Sequence, residues 1–350
     1  MRLEIDELCQ RLTASAPDLD RRGRWPQQQL NWCGEAGVFR WFIPEEYGGW
    51  NWSEEQITDG YLALSQSCLT TTFILTQWNA ACRRILGSEN VSLRERLLPK
   101  LAAGEIFATV GISHLTTSRQ HLAQPVLRAT ESGPSQWRLD GFSPWVTGAP
   151  AADVIVLGAS LDDGRQMLAA VPRERTGLAP QPGAPLMALS ASCTDRVDLD
   201  QVKITDDDLI AGPVENVMQT NSGGGAGGLQ TSTLAIGLTF SAVEFLKRES
   251  QQREDLRAIA DKLDSDAQRL RLALRELVTG CEGMLQSDLR QQANSLVLRS
   301  TQAALQAAKG AGFMASHPAG RWAREAMFFL VWSCPQPVAH ANLCELAQLS

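Results

Sequence analysis

Eight cysteines, at 9, 33, 68, 82, 193, 281, 334 and 344, and four histidines, at 114, 121, 317 and 340, are the side chains best suited to nucleophilic, redox or metal chemistry. No two cysteines fall at C-x-x-C spacing and no two histidines at H-x-x-x-H, so no metal site is expected. The thiols read as small buried hydrophobes in a reducing compartment. His114 is a candidate general base, since an unperturbed imidazole titrates at ~6.5; a hydrogen-bonded structural histidine is the other reading. Cys334 and His340 have the composition of a thiolate pair, but prolines at 335 and 337 leave their relative geometry open. The run Gly223-Gly224-Gly225-Ala226-Gly227-Gly228 has the composition of a phosphate cradle. It lacks both the Gly-Lys-Ser/Thr that completes a P-loop and a strand before it, and reads as a lead-in to a helix. Ten tryptophans against two tyrosines supply flat walls for a ring-shaped ligand, although most must fill core.

The chain that positions these groups has 350 residues, 44% of them hydrophobic and 20% charged, with a net charge of -7. That length allows two or three domains and that composition excludes wholesale disorder. No basic block breaks the acidic balance, so neither nucleic acid nor a membrane surface is expected as a partner. The longest apolar run, Ala326 to Trp332, falls far short of the ~20 residues of a bilayer span. The opening MRLEIDEL carries charge where a signal peptide needs an apolar run, which points to a cytoplasmic protein.

Three stretches differ in period. Residues 1–108 read as helical, with a break at Pro44-Glu45-Glu46-Tyr47-Gly48-Gly49 and a helix over 93–103 capped by Gly104. Residues 109–212 contain strand-length segments at Trp137-Arg138-Leu139, 153–157, 167–171 and 197–200. Asp140-Gly141 and Asp163-Gly164 are dipeptides that tight turns favour. Residues 213–350 return to the helical period. Leu234, Leu238, Ala242, Phe245 and Leu246 mark one helix, and Leu256, Leu263, Leu270 and Leu277 a second. Leu289, Ala293, Leu296 and Val297 mark a third, and a fourth is broken by Pro335 and Pro337. Helices, then sheet, then a four-helix bundle is the expected order.

Five motifs occur in register across some 280 residues. They are Phe42-Ile43-Pro44-Glu45-Glu46-Tyr47-Gly48-Gly49, Leu97-Leu98-Pro99-Lys100-Leu101-Ala102-Ala103-Gly104-Glu105, the strand Asp140 to Ala149, Ser192-Cys193-Thr194 with Val197, Leu199 and Val202, and Gly310-Ala311-Gly312-Phe313 followed by Arg321 to Ala326. Together they resemble the acyl-CoA dehydrogenase family over nearly the whole chain. The resemblance implies an α+β fold with an N-terminal helical domain, a central β-barrel-like sheet domain and a C-terminal four-helix bundle. It also implies FAD (FMN being possible) in a cleft between sheet and bundle, an acyl-CoA or related small-molecule substrate, and a homo-oligomer, dimer or tetramer. Carried over by position, Ile112 and Ser113 would contact the flavin ring, Trp145 would wall it, and Thr147 would hydrogen-bond near N5. Gly310 would approach the cofactor of a neighbouring subunit, and Thr117, Ser118 and Ser333 would face substrate.

The departures concern catalysis. The family's Glu base stands in a "Y-E-G-T" motif, and the matching stretch here is Trp332-Ser333-Cys334-Pro335. A serine hydroxyl has no accessible deprotonated form near neutrality. The alternative place for that Glu holds Gly227 and Gly228, and the acid of the "T-E-P" loop is His114. By the resemblance, Arg253 would be the candidate to replace the family Arg that reaches a pyrophosphate, whereas Pro335 and Pro337 offer no donor at all. An acyl-CoA dehydrogenase-like flavin oxidoreductase acting on a CH–CH bond is the leading expectation. A two-component flavin monooxygenase of the same fold and a non-catalytic binding or assembly member are the alternatives.

Overall fold

The structure is a computed structural model, and it describes residues 3–116, 125–220, 228–281 and 283–349. Thr117, Ser118, His121 and the glycines at 223–227 lie outside those residues. The chain opens with α1 (Ile5–Arg22), α2 (Gln27–Glu35), α3 (Glu54–Ser67), α4 (Leu69–Leu86) and α5 (Val91–Ala103). Leu8, Leu12, Ala16 and Leu19 form the buried stripe of α1, which ends where Gly23 adopts a left-handed conformation. Ser53 and Gln56 form a capping box that starts α3. Between α2 and α3, a Cβ on Gly49 would lie 1.7 Å from the Ile43 carbonyl oxygen, so that turn requires glycine.

Strands follow: β1 (Ala108–Gly111), then the single helical turn α6 (Ser113–Thr116), β2 (Leu127–Gly133), β3 (Gln136–Val146), β4 (Val154–Ser160), β5 (Gln166–Pro172), β6 (Leu178–Pro180), β7 (Asp195–Thr205) and β8 (Leu209–Val214). Their order is β6-β7-β3-β2-β4-β5-β8, with β1 parallel to β4. One register pair, Arg128 opposite Ser160, joins β2 to β4, so the sheet bends there. Its two halves enclose a core of Leu127, Trp137, Ile155, Val171, Val197 and Ile204. The strand path runs open from β6 to β8, and among the described residues no pairing closes it into a barrel. On β4, Ile155 and Leu157 enter that core while Val154 and Val156 join the helical core, which explains its unbroken apolar run. Asp163-Gly164 turns between β4 and β5, but Asp140-Gly141 sits inside β3. There the register shifts, and a Cβ on Gly141 would lie 2.2 Å from the Val126 carbonyl oxygen. The dipeptide marks close backbone approach at a bulge instead of a turn.

After α7 (Val217–Thr220) come α8 (Leu229–Ser250), α9 (Arg257–Val278), α10 (Gln286–Ala308), α11 (Pro318–Ala326), α12 (Phe328–Val331) and α13 (Gln336–Leu346). Pro335 caps α13 and Pro337 lies in its first turn, so these prolines start a helix as well as ending the one before. By length and composition α8 could cross a membrane, but 72% of its apolar window is buried in protein. Ser65 Oγ donates to the Leu234 carbonyl at 2.8 Å, and Gly237 lies against Leu62 and Ser65, locking α8 to α3.

The motif at 321–326 ties α11 to the N-terminal helices. Arg324 pairs with Asp20 of α1 at 2.6 Å, while Arg321 and Glu325 face each other at 3.6 Å, both buried. Burial pushes the Glu325 carboxyl up to about 7, against the opposing pull of Arg321. The ordinary value is 4.5, so between these values the folded chain holds a proton that the unfolded chain releases. This contribution to stability is present at acid pH and lost as pH rises through about 7. The melting temperature is expected to fall from pH 5 to pH 8, and Glu325→Gln to remove most of that slope; equal slopes in both proteins would contradict it.

Candidate functional site

A cavity of about 590 Å³ lies where α3 and α4, the end of β1, the bulge of β3, the first turn of α8 and the end of α12 meet. That volume lies in the range of small-molecule and cofactor sites. Of the residues singled out in the sequence, Ile112, Ser113, Trp145 and Ser333 all line it.

Trp145 is placed there by strain. The register between β3 and β7 shifts between Ser143 and Val146, and Trp145 adopts φ 56. A bulky residue at positive φ costs free energy and persists only where its surroundings enforce it. The bulge turns the indole out of the strand alternation and leaves it 48% exposed at the cavity, whereas Trp137 on the same strand is buried at 8%. Ser113 Oγ donates to the Pro144 carbonyl at 2.9 Å, which braces the bulge from α6 and leaves the hydroxyl oxygen able to accept.

Three sequence candidates sit elsewhere. Thr147 is buried and outside the cavity lining; its hydroxyl lies 2.8 Å from that of Thr194, which also bonds Ser192. One residue of extra chain in the bulge turns Thr147 inward, away from the place where a flavin N5 contact was expected. His114 is also buried and outside the lining, with Nε2 2.7 Å from the Gly158 carbonyl oxygen. Burial pulls it down to about 4 despite that bond, so the ring is neutral, with its proton on Nε2 facing the carbonyl. It is a structural histidine. Gly310 is exposed, away from the cavity of its own chain, in the short helical segment Lys309–Phe313. His340 lies 3.6 Å from Cys344 Sγ, one turn along α13, so its neighbouring thiol is not Cys334. Arg253 donates to the Ala307 carbonyl at 2.7 Å and pairs with Asp255 at 3.5 Å within its own chain.

Ser333 adopts φ 42 immediately after α12, and two residues that sequence reasoning missed hold it there. Arg290 Nη2 donates to the Trp332 carbonyl and Asn294 Nδ2 to the Phe329 carbonyl, both at 3.0 Å. Arg290 Nε donates in turn to Asn294 Oδ1 at 3.0 Å, and both side chains are buried. The available signal was two polar residues four apart among Leu289, Ala293 and Leu296 of α10, on a helix read only for its apolar stripe. Cys334 lies beside Arg290, yet burial pushes its thiol up, so the thiolate is disfavoured.

The rest of the cavity was also unforeseen. Phe73, Phe328 and Trp332 form an aromatic corner, with Phe73 and Trp332 edge to face at 4.8 Å. Tyr61, Asn79, Arg83 and Arg84 line the wall made by α3 and α4. Among the described lining residues the one carboxylate is Glu54, and it pairs with Arg83 at 2.7 Å. No carboxylate stands at Ser333.

Comparisons with known proteins bear on the fold. Residues 1–105 match the family model described as "Acyl-CoA dehydrogenase, N-terminal domain". The chain is 23% identical to glutaryl-CoA dehydrogenase of Desulfococcus multivorans, over 95% of this chain and 90% of that protein. The structure of butyryl-CoA dehydrogenase from Megasphaera elsdenii is similar with a TM-score of 0.83 at 17% identity, covering 98% of this chain and 96% of that one. Dibenzothiophene monooxygenase from Paenibacillus sp. A11-2 is similar with a TM-score of 0.80 at 15% identity over the same shares, and its structure has also been solved with FMN bound. The chain thus has the fold of the acyl-CoA dehydrogenases, and its first 105 residues match that family's N-terminal domain.

Proposed function

We propose that the protein is a flavin-dependent oxidoreductase, with the flavin ring against Trp145 and the substrate between that ring and the wall of α3 and α4. One observation carries this reading: an indole held half-exposed at positive φ on a bulge, at the edge of a cavity large enough for a ring and a substrate. The residues fit a flavin ring. Trp145 provides the flat face, and Ile112 offers its backbone beside it. A bound flavin would supply hydride or oxygen chemistry that no side chain here can perform. The chain's own part is to orient the ring, to present the substrate, and to exclude water with Phe73, Phe328 and Trp332. Within this class, an acyl thioester is the substrate that the family relationship supports.

The site also favours a second reading. Desaturation of an acyl thioester needs a base for the α-proton, and among the described lining residues the one carboxylate is the ion-paired Glu54. A monooxygenase working on reduced flavin needs no such base. Anaerobic mixing with acyl-CoAs of several lengths separates the two, because only dehydrogenation bleaches oxidised flavin without oxygen. Slow or absent bleaching in wild type, with oxygen-dependent turnover of reduced flavin, is expected on the second reading.

A homo-oligomer is part of the proposal. Phe313 is 90% exposed and Met314 62%, directly after Gly310, and such apolar surface suits a second copy. Light scattering is expected to give at least a dimer; a monomer near 38 kDa at micromolar concentration would remove the partner-completed site.

A further inference from the structure

The junction of α11 with α4 and α12 holds a buried ionisable pair outside the cavity lining. Glu325 is 2% exposed and Arg321 6%, and they face each other at 3.6 Å, too far for a hydrogen bond. Among the described residues Arg321 Nε and Nη1 have no hydrogen-bond partner. Buried charges are ordinarily paired and hydrogen-bonded, and each group left unsatisfied costs free energy. The charged groups that act on Glu325 are Arg321 and Arg324 of its own helix and Asp20 of α1. Cys68, the residue that precedes α4, is a thiol that Glu325 acts on in turn. From α8 the Phe245 ring lies beside Trp322 of α11, and Arg290 and Asn294 of α10 serve carbonyls of the α12 segment. Phe73 lies five residues beyond Cys68 on α4, and Phe328 three residues beyond Glu325, with Met327 alone separating α11 from α12. Phe73 meets Phe328 at 4.9 Å and Trp332 at 4.8 Å, and these rings are the aromatic corner of the cavity. Glu325 thus sits where the two elements that build the corner come together.

We propose that the Arg321–Glu325 pair is a pH-operated latch on the cavity. With Glu325 protonated, α11 stays docked and the aromatic corner is closed. Ionisation of Glu325 favours an arrangement in which α11 and α12 loosen and the carboxylate meets water. Burial pushes the Glu325 carboxyl up to about 7 from an ordinary 4.5, so docking holds the proton and release gives it up. The latch is closed below about pH 7 and weakens above it. It acts on the cavity that the flavin reading uses, and rests on that reading only for what the cavity binds; opening itself needs no ligand.

Hydrogen exchange read by mass spectrometry on the full chain tests the latch at pH 6 and pH 8, with rates corrected for the intrinsic pH dependence of exchange. Peptides covering residues 318–333 are expected to open roughly tenfold more at pH 8 than at pH 6. That ratio follows from carboxyl values of about 7 when docked and 4.5 when released. Peptides of β3 and β7 are the control and should not change. Glu325→Gln, which keeps the shape of the protonated acid, should abolish the rise. Arg321→Met removes the cation that pulls the Glu325 value down, so the rise should move to higher pH. Glu325→Gln remains readable if Arg321→Met does not fold. An equal rise in every peptide would reduce the pair to a contribution to global stability and overturn the latch. The same rise in Glu325→Gln, or no rise in wild type, would overturn it too. Flavin titrated separately keeps the two readings apart: opening of this kind in a protein that binds no flavin sustains the latch and removes the flavin reading.

Discussion

Glutamate at position 333 is expected to raise acyl-CoA-dependent bleaching of bound flavin by roughly 10²–10⁴, the ordinary worth of a positioned general base. Ser333 lines the cavity, and Arg290 and Asn294 hold the backbone just before it, so the new carboxylate would stand on a fixed segment. Position 333 is left-handed at φ 42, and glutamate pays there no more backbone strain than serine already does. Burial beside Trp332 should raise its pKa toward the working pH, as general-base catalysis requires. The measurement is anaerobic stopped-flow absorbance with acyl-CoAs of several lengths, on wild type and Ser333→Glu side by side. Fast bleaching by wild type would show that another group removes the proton. His114 is a poor candidate for that group, because it is neutral, hydrogen-bonded to Gly158 and outside the cavity.

Arg290→Met is expected to be the most destabilising single change in the bundle. It leaves the Trp332 carbonyl and Asn294 Oδ1 without their donor, and each buried unsatisfied group costs about 1–3 kcal/mol, so the loss should be about 2–6 kcal/mol. The bare substitution of an alkyl chain retains most of the packing, which isolates the hydrogen bonds. Arg290→Lys, able to serve one acceptor but not both, should fall between. Thermal unfolding of the three proteins checks the order. A methionine variant as stable as wild type would mean that the α12 segment is held by its aromatic packing alone.

The expectations that held in the fold were those carried by period and by strict backbone demands. Leu8, Leu12, Ala16 and Leu19, or Leu263 and Leu270, announce helical faces because burial selects one side of a cylinder. Gly104 ends α5 where a left-handed residue is required. Asp140-Gly141 misled because a glycine needed for close approach inside a bulged strand carries the same letters as a turn. The site was half legible. Trp145, Ile112, Ser113 and Ser333 all line one cavity. Thr147 lies outside the lining, with its hydroxyl on Thr194, and pattern alone does not locate the bulge that precedes it. Asn79, Arg84, Arg290 and Asn294 were missed for one physical reason. Each is a polar residue inside a helix whose apolar stripe dominates the periodic signal, and the carbonyls that Arg290 and Asn294 serve, at Trp332 and Phe329, lie far away in sequence.

The central claim is that a flavin ring lies against Trp145, and flavin retention tests it most directly. FAD and FMN are titrated into wild type, Trp145→Ala and Trp137→Ala, with binding followed by visible absorption and by quenching of flavin fluorescence. Both tryptophans lie on β3, but Trp137 fills the core between the two halves of the sheet while Trp145 faces the cavity. Wild type is expected to bind at least one of the two flavins, Trp137→Ala to lose stability yet retain flavin when folded, and Trp145→Ala to remain folded while affinity falls tenfold or more. No binding by a folded, oligomeric wild type, or equal losses in the two variants, would contradict the account.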